Sequence, residues 1–524
     1  MHLKKLFAAA ALAAAAAGVV RVQAQAASPA RVVDAAAEAL GGKSRILALR
    51  TLTIVGYGQI GTQNGGGNID PNPQAPQKLT NISGAVRTID LEHGRTRLVQ
   101  TQTQDFVFAY ERNMRGIRAD QRLDGDIAFN IGANNRPQRV GDAAVRGRRL
   151  EMLNNPIALV RAALDPAARL ANLRADRATN AQLVDLTTAK GDNLTVAFDT
   201  TTKLPAWVSW VQPDANLGDI TVRTYYSAYQ AEKGVQVPFG YTSVIDWRNT
   251  MTWRFYVDRV QIDEAIDDLA APADVRGPAP APAAPNIGVQ QVAKGIWYLT
   301  GAGNSTAFEF NDHITLFEVY ASEANAKAII AKARTLVPGK PVTEVIVSHH
   351  HFDHSGGLRA AVSEGLTIIT QRGNVDIFKD MAARPARLFP DALGRSPKPI
   401  TIIPVDDKLV LKDSSMEVVI YRVIDNSHMA NAVIAYAPSA KTVSQGDMVD
   451  EGWDLVYWGN SYPETVNFWK LDVERDLAVH GKINTYQDAL GHLRRQAANA
   501  KAFCDKAAAA NFSVPGCPAT NVNF

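Results

Sequence analysis

The sequence predicts two halves of different fold class, a mainly antiparallel β half followed by a layered α/β half. Three observations predict this division. Before residue 271, apolar residues recur with a period of two, which is typical of half-buried strands. After residue 288, strand-like runs alternate with amphipathic helical patterns, which indicates sheets covered by helices. Between them, residues 271–288 are rich in proline and alanine, a composition that predicts a stiff, extended linker.

The composition is that of a globular protein large enough for more than one core. The chain has 524 residues, of which 46% are hydrophobic and 20% charged, and its net charge is +3. Such a chain is neither disordered nor fibrous. Because the net charge is small and no long run of lysine or arginine occurs, we exclude nucleic acid as a partner.

The first residues have the pattern of a secretory signal peptide. Two lysines at positions 4 and 5 precede an apolar run over 6–20, and the small residues of 24–26 (AQA) offer a cleavage site. An uncleaved anchor is the alternative, but an apolar run of about 15 residues is shorter than the roughly 20 that span a bilayer. We therefore expect residues 1–26 to be removed near Ala26, leaving a periplasmic or secreted chain without a transmembrane segment.

Cys504 and Cys517 are the only cysteines, and both lie in the C-terminal tail, residues 504–524. Outside the cytoplasm, closely spaced cysteines oxidise readily, so we expect a disulfide between them. Two free thiols are the alternative.

The N-terminal half, residues 30–270, begins with a helical pattern and continues with segments of period two. The segments that predict strands are TLTIVGYGQI, RTRLVQTQTQDFVFAYE, NLTVAFDTTTKLPAWVSWVQ, ITVRTYYSAYQ and MTWRFYVDRVQI. Through LRTLTIVGYG, FDTTTKLPAWV and GVQVPFGY, this half weakly resembles the curved sheet of periplasmic lipoprotein carriers. The resemblance implies a concave apolar face; a plain β domain packed against its neighbour is the alternative.

The C-terminal half, residues 289–503, mixes strands and helices. KGIWYLT, TAFEF and HITLFEVY predict strands, EANAKAIIAKARTLV predicts an amphipathic helix, and VTEVIVS predicts a buried strand. Further strands are predicted at LTIITQ, KPITIIPV, KLVLKD, MEVVIYRV and NAVIAYAPS, and helices at ETVNFWKLDVERDLA and TYQDALGHLRRQAANAKAF.

Four of the ten histidines lie within the six residues HHHFDH, directly after the buried strand. His349, His351 and Asp353 alternate, so in an extended loop their side chains point to one side, and His354 follows as the chain turns into a helix. Imidazoles and carboxylates are ligands of zinc and similar metals. One histidine on a strand is more often a core residue, but this arrangement predicts a metal site. His350 should face the opposite way and support or pack against the loop.

Three more donors stand at predicted strand ends: His428, Asp447 and His480. With them, residues 291–500 resemble the metallo-β-lactamase superfamily, most clearly through VSHHHFDHSGG and also through SQGDMVD and AVHGK. The resemblance implies a four-layer αββα sandwich and two divalent metal ions, zinc above all.

The resemblance also implies which residues bind each ion. His349, His351 and His428 would hold one metal, whereas Asp353, His354 and His480 would hold the other, with Asp447 as the bridge. The sequence departs from the family pattern at Glu318, which replaces an aspartate, and at Val479, which replaces a glycine. Neither position is a direct ligand.

Such a centre predicts an exported metallo-hydrolase that uses a metal-bridging hydroxide on a carbonyl substrate, with Asp353 or Asp447 relaying a proton. Aspartate at 447 disfavours a dedicated β-lactamase within this family. The aromatic residues Trp453, Tyr457, Trp458 and Tyr462 suggest an apolar ester, lactone or thioester, unless they belong only to the core. The alternatives are a β-lactam hydrolase, an iron-dependent oxidoreductase of the same fold, and an apolar-ligand binding protein. Oligomeric state cannot be predicted.

Overall fold

The fold is taken from a computed structural model, in which residues 28–62, 68–104, 116–450, 452, 456–514 and 516–518 are described. The predicted signal peptide and Trp453 lie outside these residues. None of the helices in the described part of the chain combines the length and apolarity that crossing a membrane requires.

The N-terminal half is built on one large antiparallel sheet. Within the described residues it has thirteen strands in the spatial order β6-β5-β4-β3-β2-β1-β13-β12-β11-β10-β9-β8-β7. The strands are β1 Thr51–Thr62, β2 Lys78–Asp90, β3 Arg95–Gln104, β4 Ile117–Asp124, β5 Ile127–Ile131, β6 Pro137–Arg139, β7 Arg169–Asp176, β8 Ala181–Thr187, β9 Asn193–Asp199, β10 Pro205–Asp214, β11 Gly218–Glu232, β12 Val235–Ile245 and β13 Met251–Ile262. The predicted period of two therefore does correspond to antiparallel strands.

Four helices accompany this sheet: α1 Pro29–Ala39, α2 Lys43–Ala48, α3 Asp142–Leu153 and α4 Pro156–Leu164. Helices α2, α3 and α4 were not predicted from the sequence. Helix α4 lacks a polar face, because most of its side chains are buried, so it shows little of the amphipathic period that identifies surface helices. A local signal does exist at its start, where Asn155 caps the helix and Pro156 occupies its first turn.

The predicted linker is only partly extended and exposed. Ala271 and Val275 are buried against Phe129 of β5, and the Ala271 N–H donates to Asp124 at 2.8 Å. Residues 277–286 are mostly exposed. The first third of the proline-rich stretch thus belongs to the packing of the N-terminal sheet.

The C-terminal half contains two sheets and six helices among the described residues. The first sheet runs in sequence order from β14 to β20: Gly288–Ala293, Ile296–Thr300, Ser305–Glu309, Ile314–Phe317, Val342–Ile346, Thr367–Gln371 and Ile402–Val405. The second runs from β21 to β26: Lys408–Lys412, Glu417–Arg422, Val433–Ala437, Thr442–Gln445, Arg475–Ala478 and Ile483–Thr485. The helices are α5 Glu323–Ala333, α6 Leu358–Glu364, α7 Val375–Ala383, α8 Ala392–Arg395, α9 Ser461–Phe468 and α10 Tyr486–Ala509.

The two C-terminal sheets face each other across an apolar core. Phe308, Phe317 and Ile346 of the first sheet belong to the same buried cluster as Ile420 and Leu477 of the second. Helices α5, α6 and α7 cover the outer side of the first sheet, and α9 and α10 cover the outer side of the second. The predicted αββα sandwich is therefore confirmed.

One predicted helix in this half is wrong in part. The pattern ETVNFWKLDVERDLA predicts a single helix, but α9 ends at Phe468 and residues 475–478 form β25. This strand lies parallel to β24 and is buried from Asp476 to Ala478. Pairing within the sheet therefore overrides the local helical pattern.

The two halves form an extensive interface. Asp219 accepts hydrogen bonds from the backbone N–H groups of Arg387, Leu388 and Phe389 at 2.7 to 3.0 Å. Trp247 donates its indole N–H to Asp380 at 2.6 Å. One buried apolar cluster contains residues from both halves. Contacts of this kind hold the halves together independently of the linker.

Limited proteolysis of the folded chain is expected to cut within residues 277–286, because this stretch is exposed and makes few contacts. The fragments should then co-elute in native size-exclusion chromatography and keep their metal, since the interface survives the cut. Mass spectrometry of the eluted peak identifies the cut. Separation of the fragments without denaturant would contradict this prediction.

Cys504 and Cys517 are joined in the structure, with a Cα–Cα distance of 5.4 Å, as the sequence predicts. The bond ties the end of α10 to the tail that follows it. Protein purified without reductant should therefore show no alkylation of either cysteine by iodoacetamide in intact mass spectra, and alkylation of both after reduction. Two alkylated cysteines before reduction would contradict the pairing.

Candidate metal centre

The predicted metal-binding residues come together where strands of both C-terminal sheets end. The HHHFDH loop follows β18, Asp447 follows β24, and His480 follows β25. Close backbone packing fixes the loop, because a Cβ atom at Gly357 would lie 1.9 Å from the carbonyl oxygen of Val319. The glycines after the histidine motif thus allow α6 to start against the end of β17.

His349, His351, His428 and Asp447 form one group whose potential ligand atoms all lie within 4.8 Å of one another. His349 Nε2 is 3.0 Å from His351 Nδ1, and His428 Nε2 is 2.9 Å from Asp447 Oδ2. His349 Nδ1 lies 2.9 Å from Ser348 Oγ, which turns the other ring nitrogen toward the group.

Asp353, His354 and His480 form a second group within the same distance limit. His480 Nε2 lies 3.2 Å from His354 Nε2 and 3.7 Å from Asp353 Oδ2. The structure thus brings together every residue that the sequence analysis named as a metal ligand.

Asp447 contacts both groups. Its Oδ2 faces His428, and its Oδ1 lies 3.0 Å from both His354 Nε2 and His480 Nε2. Its backbone has a positive φ of 57°, a conformation that is unfavourable for aspartate and that concentrates at functional sites. The preceding residue, Gly446, has no room for a side chain, because a Cβ atom there would lie 2.6 Å from Ser348 Oγ.

The donor set fits divalent metal ions. Imidazole nitrogens and carboxylate oxygens are the ligands of zinc and related metals. The Oδ1 atom of Asp353 is buried and has no hydrogen-bond partner within the described residues. An unpaired buried carboxylate oxygen is costly, and a metal ion would satisfy it.

Burial and charge separate the histidines into two classes. Burial lowers the pKa of His349 to about 3, so this imidazole is neutral and able to bind a metal. Burial also acts on His480, but Asp447 and Asp353 outweigh it and raise its pKa to about 9. Burial would raise the pKa of Asp447, whereas His354 and His480 hold it well below its ordinary value. A metal in the second group must therefore displace protons as it binds.

Glu318, the departure from the family pattern, supports the second group. It is fully buried, and its Oε1 accepts from the Ser348 N–H at 2.8 Å and lies 3.4 Å from His354 Nδ1. Like Asp447 it has a positive φ, here 65°. The longer side chain still reaches the histidine loop, so the substitution does not remove this support.

His350 points away from both groups, as the alternation predicts. Its Nε2 donates to the carbonyl oxygen of Asn68 at 2.8 Å. The same carbonyl accepts from His351 Nε2 at 3.0 Å, which leaves His351 Nδ1 for the metal group. The N-terminal half therefore orients a predicted metal ligand, since such outer hydrogen bonds fix the ring and its tautomer.

Three further residues contact or influence the centre. Tyr320 and Lys78 were not singled out from the sequence, and Trp458 was singled out only as one of the aromatic residues that suggested the substrate. Tyr320 donates its hydroxyl to Asp353 Oδ2 at 3.2 Å, and Trp458 stacks on His428 with ring centroids 3.9 Å apart. Lys78 belongs to the N-terminal sheet. Burial lowers the pKa of Lys78 to about 8. The pKa of His428 is lowered mainly by its own burial, and the positive charge of Lys78 also contributes to lowering it. No local pattern marks Lys78, because it reaches the centre only through tertiary packing.

The aromatic residues after Asp447 belong mainly to the core. Tyr462 and Trp458 are buried, and Tyr462 donates to Asp476 at 2.9 Å. Tyr457 is partly buried and packs against the apolar cluster that contains Tyr462. Of the two interpretations of these aromatics, the structure thus favours packing over an open substrate pocket.

Comparison with known proteins adds a family relationship for part of the chain. Residues 300–418 match the model of the metallo-beta-lactamase superfamily. A linear primary-alkylsulfatase from Pseudomonas sp. is 38% identical over 79 residues, which is 15% of this chain and only 12% of that enzyme.

Similar solved structures have low sequence identity. A stereoselective inverting sec-alkylsulfatase from Pseudomonas sp. has 15% identity and a TM-score of 0.31, over 43% of each chain. A metallo-beta-lactamase from Hirschia baltica has 17% identity and a TM-score of 0.30, over 39% of this chain and 95% of its own. The family match over residues 300–418 lies within the C-terminal half and agrees with the resemblance of that half to the metallo-beta-lactamase superfamily.

Proposed function

We propose that this protein is a metal-dependent hydrolase with two divalent ions, and that its substrate is an ester, lactone or thioester. The observation that carries the proposal is the position of Asp447, whose two oxygens each face one group of donors. A carboxylate shared in this way is suited to bridging two ions. When bound, such ions activate water at neutral pH and polarise the bond to be cleaved.

The chain's own carboxylates have different roles in this proposal. Asp447 uses both oxygens on the surrounding imidazoles, so it holds the centre together. Asp353 is engaged through Oδ2, by Tyr320 and the second group, while Oδ1 remains without a partner among the described residues. Because Asp447 engages both groups whereas Asp353 belongs to the second group alone, Asp353 is the better candidate to relay a proton to the leaving group.

The metal content of the purified protein tests the centre directly. We expect close to two ions per chain, mainly zinc, because the donors outnumber what one tetrahedral ion requires. Inductively coupled plasma mass spectrometry measures the ratio. One iron per chain without zinc would contradict the proposal and favour the oxidoreductase alternative.

A substrate panel tests the reaction. The metal-loaded protein should hydrolyse 4-nitrophenyl octanoate, γ-decalactone or octanoyl-coenzyme A faster than the β-lactam nitrocefin. The metal-free protein serves as the control. Turnover of nitrocefin alone would identify a β-lactamase instead, and no turnover of the panel would leave the carbonyl class unsupported.

Sulfate esters are a second candidate class, for two reasons. The match to a linear primary-alkylsulfatase covers 79 residues at 38% identity. In addition, the partly buried Lys78 places a positive charge close enough to influence His350 and His428, which would favour an anionic substrate. Dodecyl sulfate in the same panel, with release of inorganic sulfate measured, distinguishes this class from carbonyl esters.

A further inference from the structure

A cavity of about 440 Å³ lies between the N-terminal sheet, helix α3 and the metal-binding loop. Side chains at alternate positions of β10, β11 and β12 face it, including Trp210, Ile220 and Ile245, as the geometry of strands requires. Phe352, from the middle of the HHHFDH motif, also lines the cavity. Its volume falls in the range of about 300–1,000 Å³ that is typical of small-molecule sites.

Most of the lining is apolar and aromatic. Trp210, Trp247, Trp253 and Phe352 contribute rings. The ring of Phe352 lies 5.7 Å from that of Trp247, centroid to centroid. A water-filled cavity with such walls would be unfavourable, so the lining suits the apolar body of a ligand.

One buried polar atom in the wall, on Asn154, is the feature that points to a polar group on the ligand. Asn154 lies at the end of α3, is only 5% exposed, and lines the cavity. Its Oδ1 has no hydrogen-bond partner within the described residues. A buried acceptor left unpaired costs free energy, and a ligand with a hydroxyl or N–H group would satisfy it.

The charges of the wall disfavour an anion. Arg87 donates to the backbone carbonyl of Glu151 at 3.0 Å and lies 3.6 Å from its carboxylate, so these two charges largely cancel. Asp214 also lines the cavity and accepts from the N–H groups of Asn216 and Leu217. The excess charge is negative, which opposes burial of a carboxylate or sulfate.

We propose that this cavity is a binding site for a neutral, apolar molecule that carries one hydrogen-bond donor, as a medium-chain alcohol does. The donor bonds to Asn154 Oδ1, and the apolar chain packs against Trp210, Trp253 and Phe352. The site requires no metal, so the proposal goes beyond the hydrolase function and does not depend on it.

Isothermal titration of the metal-loaded full chain with 1-octanol tests the proposal. One octanol should bind per chain, and octanoate should bind at least about tenfold more weakly, because its charge is buried without a cationic partner. Asn154→Leu should weaken octanol binding by about tenfold through loss of the hydrogen bond. Asn193→Leu, at the exposed first residue of strand β9, is the matched control and should bind octanol like the original chain.

A second variant adds a large side chain at the exposed edge of the cavity. Gly147 of α3 lines the cavity, is exposed, and a Cβ atom built there meets nothing within 4 Å. Gly147→Phe should weaken octanol binding, because its ring can turn into the cavity, and should keep the metal content and melting temperature of the original chain. Octanol binding that is unchanged in Asn154→Leu, or octanoate binding as tight as that of octanol, would overturn the proposal. Neither result bears on the metal centre, whose content is measured separately.

Discussion

Replacing Asp447 with alanine is expected to release at least one metal ion and to lower turnover by about 100-fold or more. The reason is geometric. The two carboxylate oxygens face different groups of imidazoles, Oδ2 toward His428 and Oδ1 toward His354 and His480. Truncation to a methyl group removes both contacts.

His350→Ala is the matched control for Asp447→Ala. Both residues are nearly fully buried, but His350 faces Asn68 rather than the metal groups. We expect this variant to keep two metals and much of the activity. Metal content and kcat are measured for both variants on the substrate that the panel identifies. If Asp447→Ala kept full metal content and full hydrolysis, the ligand assignment downstream of the HHHFDH motif would be wrong.

The parts of the centre that the sequence predicted are those with local or repeated signals. The alternation of His349, His351 and Asp353 follows from the geometry of an extended loop, which needs no tertiary information. His428, Asp447 and His480 were found because each stands at a strand end in the order of the family pattern. The alternation of strands and helices along the chain predicted a layered α/β half, and the family resemblance implied the αββα order of its layers.

The parts that the sequence did not predict depend on contacts between distant segments. The carbonyl oxygen of Asn68 accepts hydrogen bonds from the histidine loop, which lies more than 280 residues away in the sequence. Lys78 approaches the same loop from the N-terminal sheet. Helix α4 was missed because burial on most sides removes its period, and β25 because its neighbour in the sheet decides its conformation. In each case the missing information is tertiary rather than local.

Glu318→Leu is expected to lower metal affinity at the Asp353–His354–His480 group by about 10–100-fold. The carboxylate of Glu318 accepts from the Ser348 N–H and lies near His354 Nδ1. Leucine has a similar size but no hydrogen-bond acceptor. The buried Ser348 N–H would therefore be left without its acceptor, and the ring of His354 would no longer be oriented by a carboxylate. The other group should lose much less affinity, because His349 is oriented through Ser348 Oγ and His351 through Asn68.

Competition titration with a chromophoric chelator resolves the affinity of each of the two ions and measures this selectivity. Glu344→Leu is the matched control, since Glu344 accepts from Thr315 and lies on the adjacent strand β18, outside the metal groups. Glu318→Gln retains an acceptor for the Ser348 N–H and should recover part of the affinity. A general loss of stability would lower the melting temperature and reduce the affinity for both ions equally. Loss of the orientation of His354 would instead reduce the affinity for one ion, and Glu318→Gln would partly restore it. Equal loss of both ions, or no loss of either, would therefore contradict the role assigned to Glu318.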